Sequence, residues 1–165
     1  MSENAYRIAV LTKYVPDTQF EQKLDDTLRV DRSESVMSEL DEYAVEAAMQ
    51  IVEAEDTDAA NSAVIAFTLG AADASKGLRR ALQLGAHEGV HILDDAFAGA
   101  DALATSRIIA AALSTYEQEH GTFDLILTGM ASTEGETSLV PVQVSELLGR
   151  TGISQVASLT VAGRT

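Results

Sequence analysis

The run Gly129-Met-Ala-Ser-Thr-Glu-Gly-Glu-Thr-Ser138 gathers glycines, hydroxyls and two carboxylates between the apolar segment FDLILT and the sequence LVPVQVSELLG. Glycine lets a backbone approach a ligand closely, and serine and threonine hydroxyls both donate and accept hydrogen bonds. The first N–H groups of a following helix lack intrahelical partners and favour an anion. A phosphate could therefore dock at this corner without a basic side chain, with Thr137 or Ser138 capping the helix. The same composition also describes a plain turn with an N-cap. Neither Walker A spacing nor GxGxxG occurs, so the common phosphate-loop and dinucleotide fingerprints are missing. Glu134 and Glu136 stand two residues apart with no histidine near them in sequence. They read as acceptors of backbone N–H groups that shape the loop, or as partners of ribose hydroxyls, rather than as an acid/base or metal-ligating pair.

Other chemistry-bearing residues are scattered. His87 follows a helix stop, His91 sits inside an apolar run and His120 lies near a helix end, and each reads as structural or surface. Lys13 and Asp17 flank Val-Pro after the first apolar run. They fit a surface lysine and a turn aspartate as well as a ligand-facing pair. Met37 reads as packing. With no cysteine, disulfides, iron–sulfur clusters and thiolate zinc sites are excluded, and a redox role requires a bound organic cofactor. The formal charge of −15 opposes nucleic acid as a partner. The N-terminal MSENAYRIAVLTKYV has no basic region ahead of a long apolar core, and no apolar run approaches the ~20 residues of a bilayer span. A soluble, cytoplasmic chain without membrane insertion is expected.

The elements that must position these residues alternate in type. Residues 7–12 (RIAVLT), 63–68 (AVIAFT), 89–93 (GVHIL) and 123–128 (FDLILT) are short and almost continuously apolar, which suits strands covered on both faces. Between them, Leu40, Tyr43, Ala44, Ala47, Ala48 and Ile51 recur at helical spacing, and Ser38 with Asp41 resembles a capping box. A second helix is expected over 72–84, with Ala74, Leu78, Ala81 and Leu82 inward and Gly85 as its stop. A third is expected over 101–119, and a fourth from about Ser138, carrying Val142, Val144, Leu147 and Leu148. Residues 156–161 suggest a further strand, and VAGRT at the end reads like the middle of a strand and turn in a chain that continues. Strands alternating with helices predict one doubly wound α/β domain over residues 1–165, with a mainly parallel sheet and helices on both faces. Residues 15–37 break the rhythm as a loop followed by a small hairpin around TLRVDR; a connection this long is commonly functional or mobile. Ligands of such sheets sit at the carboxyl ends of the strands, here residues 13–18, 69–73, 94–101 and 129–138.

Four pieces in order, KYVPDT (13–18), MSELDEYAVEAAMQI (37–51), LRRALQLGAHEGVHI (78–92) and DLILTGMASTEGETSLVPVQVSELLG (124–149), resemble the β subunit of electron transfer flavoprotein over almost the whole chain. That resemblance implies a Rossmann-like fold of the adenine nucleotide α-hydrolase-like kind. It also implies a heterodimer with an α subunit that holds most of the FAD. The β subunit would bury AMP, or a second FAD in bifurcating relatives. Such a subunit carries electrons from acyl-CoA-type dehydrogenases towards a quinone reductase and performs no substrate chemistry itself. Carried over by position, the nucleotide site comprises Leu11, then Ser38, Glu39, Leu40 and Asp41, then Leu69 and Gly70. Its longest piece is Gly129, Met130, Ala131, Ser132, Thr133, Glu134, Gly135, Glu136, Thr137, Ser138, Leu139 and Val140. Thr18 and Leu40 would lie towards the flavin.

This chain departs from the family pattern in having Ser38-Glu39 where Asn-Pro is common, Glu134 and Glu136 where Asp is usual, and Ser138 and Leu139 in place of small or glutamine residues. The family's C-terminal segment, which grips dehydrogenases, is expected beyond Thr165. The competing reading is a stand-alone ATP- or AMP-binding module similar to universal stress proteins. A nucleotide-dependent enzyme such as an ATP pyrophosphatase lacks its Ser-Gly-Gly loop here.

Overall fold

The computed structural model describes residues 4–26, 28–54 and 56–161. In chain order the strands are β1 (Arg7–Thr12), β2 (Tyr14–Pro16), β3 (Ser35–Met37), β4 (Ala63–Leu69), β5 (Glu88–Ile92) and β6 (Leu125–Thr128). The helices are α1 (Glu39–Val52), α2 (Ser75–Gln83), α3 (Ala102–His120) and α4 (Val140–Leu147).

Side-chain alternation along the central strands sets the layers. In β1, Ile8 and Val10 enter one buried cluster while Ala9 and Leu11 enter another; β4 does the same with Val64 and Ala66 against Ile65 and Phe67. Strands apolar on both sides must be covered on both. The first cluster is closed by Val45, Ala48 and Met49 of α1 and by Leu78 and Ala81 of α2. The second is closed by Ile109 and Leu113 of α3 and Val144 of α4. The four long strands form a parallel sheet of order β5-β4-β1-β6, as the alternation predicts. After β1 the chain passes through α1 to β4 on one side. After β6, on the other side of β1, it turns into α4 on the opposite face. The carboxyl ends of β1 and β6 therefore flank the crevice where such sheets take ligands.

Residues 14–26 and 28–37 form a two-tiered antiparallel hairpin. Its base pairs Tyr14 with Met37, Val15 with Val36 and Pro16 with Ser35. Its tip closes with a single bridge between Leu24 and Val30, reinforced by Asp31 N donating to Lys23 O at 2.8 Å. The expected hairpin around TLRVDR is thus the outer tier of a longer one, and its Thr27 lies outside the described residues.

Several expectations are corrected. Residues 156–161 form no strand; Val156 and Leu159 are exposed and pair with neither sheet edge. The end of VAGRT, 162–165, lies outside the described residues. Leu82 points to solvent rather than inward, and Tyr43, Val142 and Leu147, counted in the apolar patterns, are exposed as well. In α1 the inward positions include Val45 and Met49 instead, which rotates the buried face away from Tyr43. The capping box is not made: Ser38 stands at the N-cap of α1 without a side-chain cap, because Asp41 turns its carboxylate to the strand ends. Neither Thr137 nor Ser138 caps α4. Leu139 holds that position without a side-chain bond, and Ser138 is left-handed at φ 52°.

Candidate functional site

Lys13, the residue after β1, is the hub of the crevice. Its backbone N–H donates to Asp41 Oδ2 at 2.8 Å, and its carbonyl accepts from Ser38 N at 2.9 Å. Asp41 also accepts from the backbone N–H of Gly129, the residue after β6. One carboxylate at the start of α1 therefore ties together the ends of two neighbouring strands. Gly129 is required by this packing: a Cβ there would fall on Asp41 Oδ1 and come within 3.0 and 3.1 Å of the Leu40 carbonyl carbon and oxygen. Asp41 is only 7% exposed. Burial pushes its carboxyl up to about 7, against the two backbone N–H groups and the Lys13 charge that favour ionisation.

The Lys13 side chain reaches the other way. Its Nζ lies 3.1 Å from Glu134 Oε2 and donates to Ser132 Oγ at 3.2 Å. Arg32, from the hairpin, pairs with Glu134 Oε1. Burial pushes the Glu134 carboxyl up, but the hydrogen bond from Arg32 and the Lys13 charge outweigh it and hold the group below the usual range. Thr18, Lys23, Leu24 and Val30 of the hairpin face Thr133 and Glu134 across a cleft of about 270 Å³.

The structure brings Ser38, Leu40, Asp41, Gly129 and the loop as far as Gly135 around Lys13. Leu11 is buried under α3 and α4, one residue short of the β1 end. Leu69 is the last residue of β4 and Gly70 follows it; the end of β4 is bonded to that of β1 by Thr68 Oγ1 donating to Thr12 O at 2.8 Å. Gly70 is further fixed by its N–H to Ile92 O and its carbonyl to His91 Nε2. Glu39, Met130, Glu136, Thr137, Ser138 and Leu139 are exposed, with Ala131 and Val140 half-buried beside them. Thr18 sits on the hairpin side of the cleft.

Two of the loop amides are spent within the loop. Gly135 N donates to Ser132 Oγ at 3.2 Å and Glu136 N to Ser132 O at 3.1 Å, so both serve the loop's own turn. Basic side chains are at hand after all, in Lys13 and Arg32. Glu134 takes its partners from those cations rather than from the backbone N–H groups expected of it. Gly135 has room for a Cβ, whose nearest neighbours would be Ser132 Oγ at 3.4 Å and Lys13 Nζ at 3.8 Å. Arg32 was invisible as a site residue because 102 positions separate it from Glu134; only the length of the hairpin hinted that its charges had a destination.

One hydroxyl at the inner end of this junction stands without a partner. Ser38 Oγ is buried at the start of α1 with no hydrogen-bond partner, which is costly unless something accepts or donates there. Of the histidines, His87 accepts from Val64 N through Nδ1, and His120 packs on the Tyr116 ring; both are structural contacts. Among the described residues, no helix is long and apolar enough to cross a membrane.

Comparison with known proteins extends this geometry. The chain is 38% identical over 159 residues to the electron transfer flavoprotein subunit beta of Mycobacterium leprae, covering 94% of this chain and 58% of that protein. It is 33% identical over 158 residues to the caffeyl-CoA reductase-Etf complex subunit CarD of Acetobacterium woodii, covering 94% of this chain and 57% of that one. It is 32% identical over 134 residues to protein FixA of Bradyrhizobium diazoefficiens, covering 79% and 45%. The chain thus spans about half the length of these relatives. Residues 27–165 match the model of the electron transfer flavoprotein domain, a span that takes in Arg32, the start of α1 and the whole 129–138 loop. The chain belongs to the electron transfer flavoprotein domain family.

Proposed function

We propose that this chain is the nucleotide-binding part of an electron-transfer β subunit, a single α/β unit that works in the cytoplasm beside an α subunit. In this reading the crevice between β1 and β6 takes AMP, or a second FAD, and the hairpin side with Thr18 and Leu40 faces the FAD held mainly by the α subunit. The assembled heterodimer carries electrons from acyl-CoA-type dehydrogenases to a quinone reductase. The observation that carries the reading is the Lys13–Asp41–Gly129 junction, which sets the start of α1 and the 129–138 loop side by side at the carboxyl ends of β1 and β6 in a chain of this family. The buried, unpartnered Ser38 hydroxyl fits an oxygen or nitrogen of such a nucleotide.

The flavin supplies the redox chemistry when bound. This chain's own residues do the positioning: Asp41 holds the two strand ends, Ser38 offers its hydroxyl, and Ser132 sets the turn of the loop. The subunit itself makes and breaks no substrate bond. The test is mass spectrometry of small molecules released by heating the purified chain, alone and co-expressed with an α subunit. AMP from the chain and a yellow heterodimer on co-expression are expected. A chain that pairs with no α subunit and releases no adenine nucleotide would overturn the reading.

A further inference from the structure

Lys13 and Arg32 reach Glu134 from the end of the central strand and from the hairpin, leaving one positive charge over in a chain whose formal charge is −15. The carboxylate serves them imperfectly. Arg32 meets a single oxygen, Oε1, where a guanidinium is built to grip two. The other oxygen, Oε2, is buried and meets Lys13 Nζ alone, at 3.1 Å. Lys23, whose ammonium lies 3.7 Å from Glu21 Oε2, lines the same cleft, which has room for a group much larger than the carboxylate. A phosphate brings a second charge and three oxygens, and so answers both cations at once.

We propose that Lys13 and Arg32 form an oxyanion site for a phosphate-type dianion, that Glu134 is its built-in occupant, and that binding exchanges the carboxylate for the ligand. The exchange also unhooks the hairpin, because the Arg32 link to the 129–138 loop runs through Glu134. The inference rests on the nucleotide reading only for what carries the phosphate.

The probe is inorganic phosphate, titrated into the full chain at fixed ionic strength and followed by calorimetry or phosphorus NMR. Glu134→Gln keeps the shape and removes the competing charge. It is expected to bind phosphate at least about tenfold more tightly than the wild type, equivalent to about 1.4 kcal/mol, with no comparable gain for chloride. Adding Arg32→Gln to that background should abolish the gain. Equal affinity in the wild type and Glu134→Gln, or a gain that survives the loss of Arg32, overturns the proposal. Glu134→Asp, which withdraws the carboxylate by one methylene, gives a second measurement should the glutamine variant not fold. It too must bind phosphate more tightly than the wild type, and no change counts against the exchange. No nucleotide enters these titrations, so their failure leaves the nucleotide reading standing, while a chain that exchanges phosphate but never binds AMP would sink only that reading.

Discussion

Lys13 takes part in two junctions, and the two are built differently. Its main chain lies in the inner one, bonded to Asp41 and Ser38 under a glycine that has no room for a side chain. Its side chain lies in the outer one, half-exposed, meeting Glu134 and Ser132 beneath the hairpin. The inner junction is dry and made of short bonds to backbone groups; the outer is ionic and open to salt. Buried polar contacts and tight packing weigh on the stability of the whole fold, whereas half-exposed ion pairs contribute at most about 1 kcal/mol. The crevice therefore has a fixed floor and a loosely held rim, joined through one residue.

The sharpest way to break this contrast is at the glycines. Gly129→Ala forces a methyl onto Asp41 and the Leu40 carbonyl, and should cost about 3 kcal/mol of global stability in urea unfolding. Gly135→Ala, in the rim, should change it by less than about 0.5 kcal/mol. Similar losses at both positions would erase the distinction between floor and rim.

Next comes pH. Because Asp41 is raised from 3.8 to about 7 in the fold, the folded state favours its protonated form. Its contribution is fully present below the unfolded value and is lost as pH rises through about 7. Wild-type stability should therefore gain about 2–3 kcal/mol, relative to Asp41→Asn, when pH falls from about 8 to about 5. Parallel pH profiles for the two proteins would contradict the burial of that charge.

Smaller and more local is Arg32→Gln. Hairpin amides should exchange about fivefold faster by hydrogen-exchange mass spectrometry while β1 and β4 keep their protection and the urea midpoint holds. Loss of protection across the sheet would mean that the rim is part of the floor. Smallest is Ser138→Gly, which relieves a left-handed serine and should raise stability by about 0.5 kcal/mol, read as a small rise in Tm.

Much of the floor was legible in the sequence and little of the rim. The continuous apolarity of RIAVLT and AVIAFT announced strands covered on both faces, and both were found at β1 and β4 within a residue of the expected bounds. The helix over 101–119 was found as α3, with Asp101 capping it through Ala104 N. Periodicity does not fix rotation when alanine lies on several faces, which is why Tyr43 was counted in the apolar pattern and is 73% exposed. Residues 156–161 have strand composition, but composition supplies no neighbour to pair with. The 129–138 loop stood out as a candidate by its residue types. Its partners were not, because Asp41 reads locally as a cap and Arg32 reads locally as hairpin surface until the fold carries each across to another element.

The arrangement of the sheet also has a consequence for how the crevice comes into being. β1 finds β4 about fifty-six residues later, but its pairing with β6 joins Ile8 to Leu125, and Arg7 N to Asp124 across 117 positions. Closing so wide a span costs more chain entropy than the nearer pairing, and it is β6 that closes the open flank of β1. One of the two amide partners of the Asp41 carboxylate, Gly129, directly follows that strand. The strand most distant in sequence is thus the one that completes the crevice, and a sheet of β5, β4 and β1 alone would lack it.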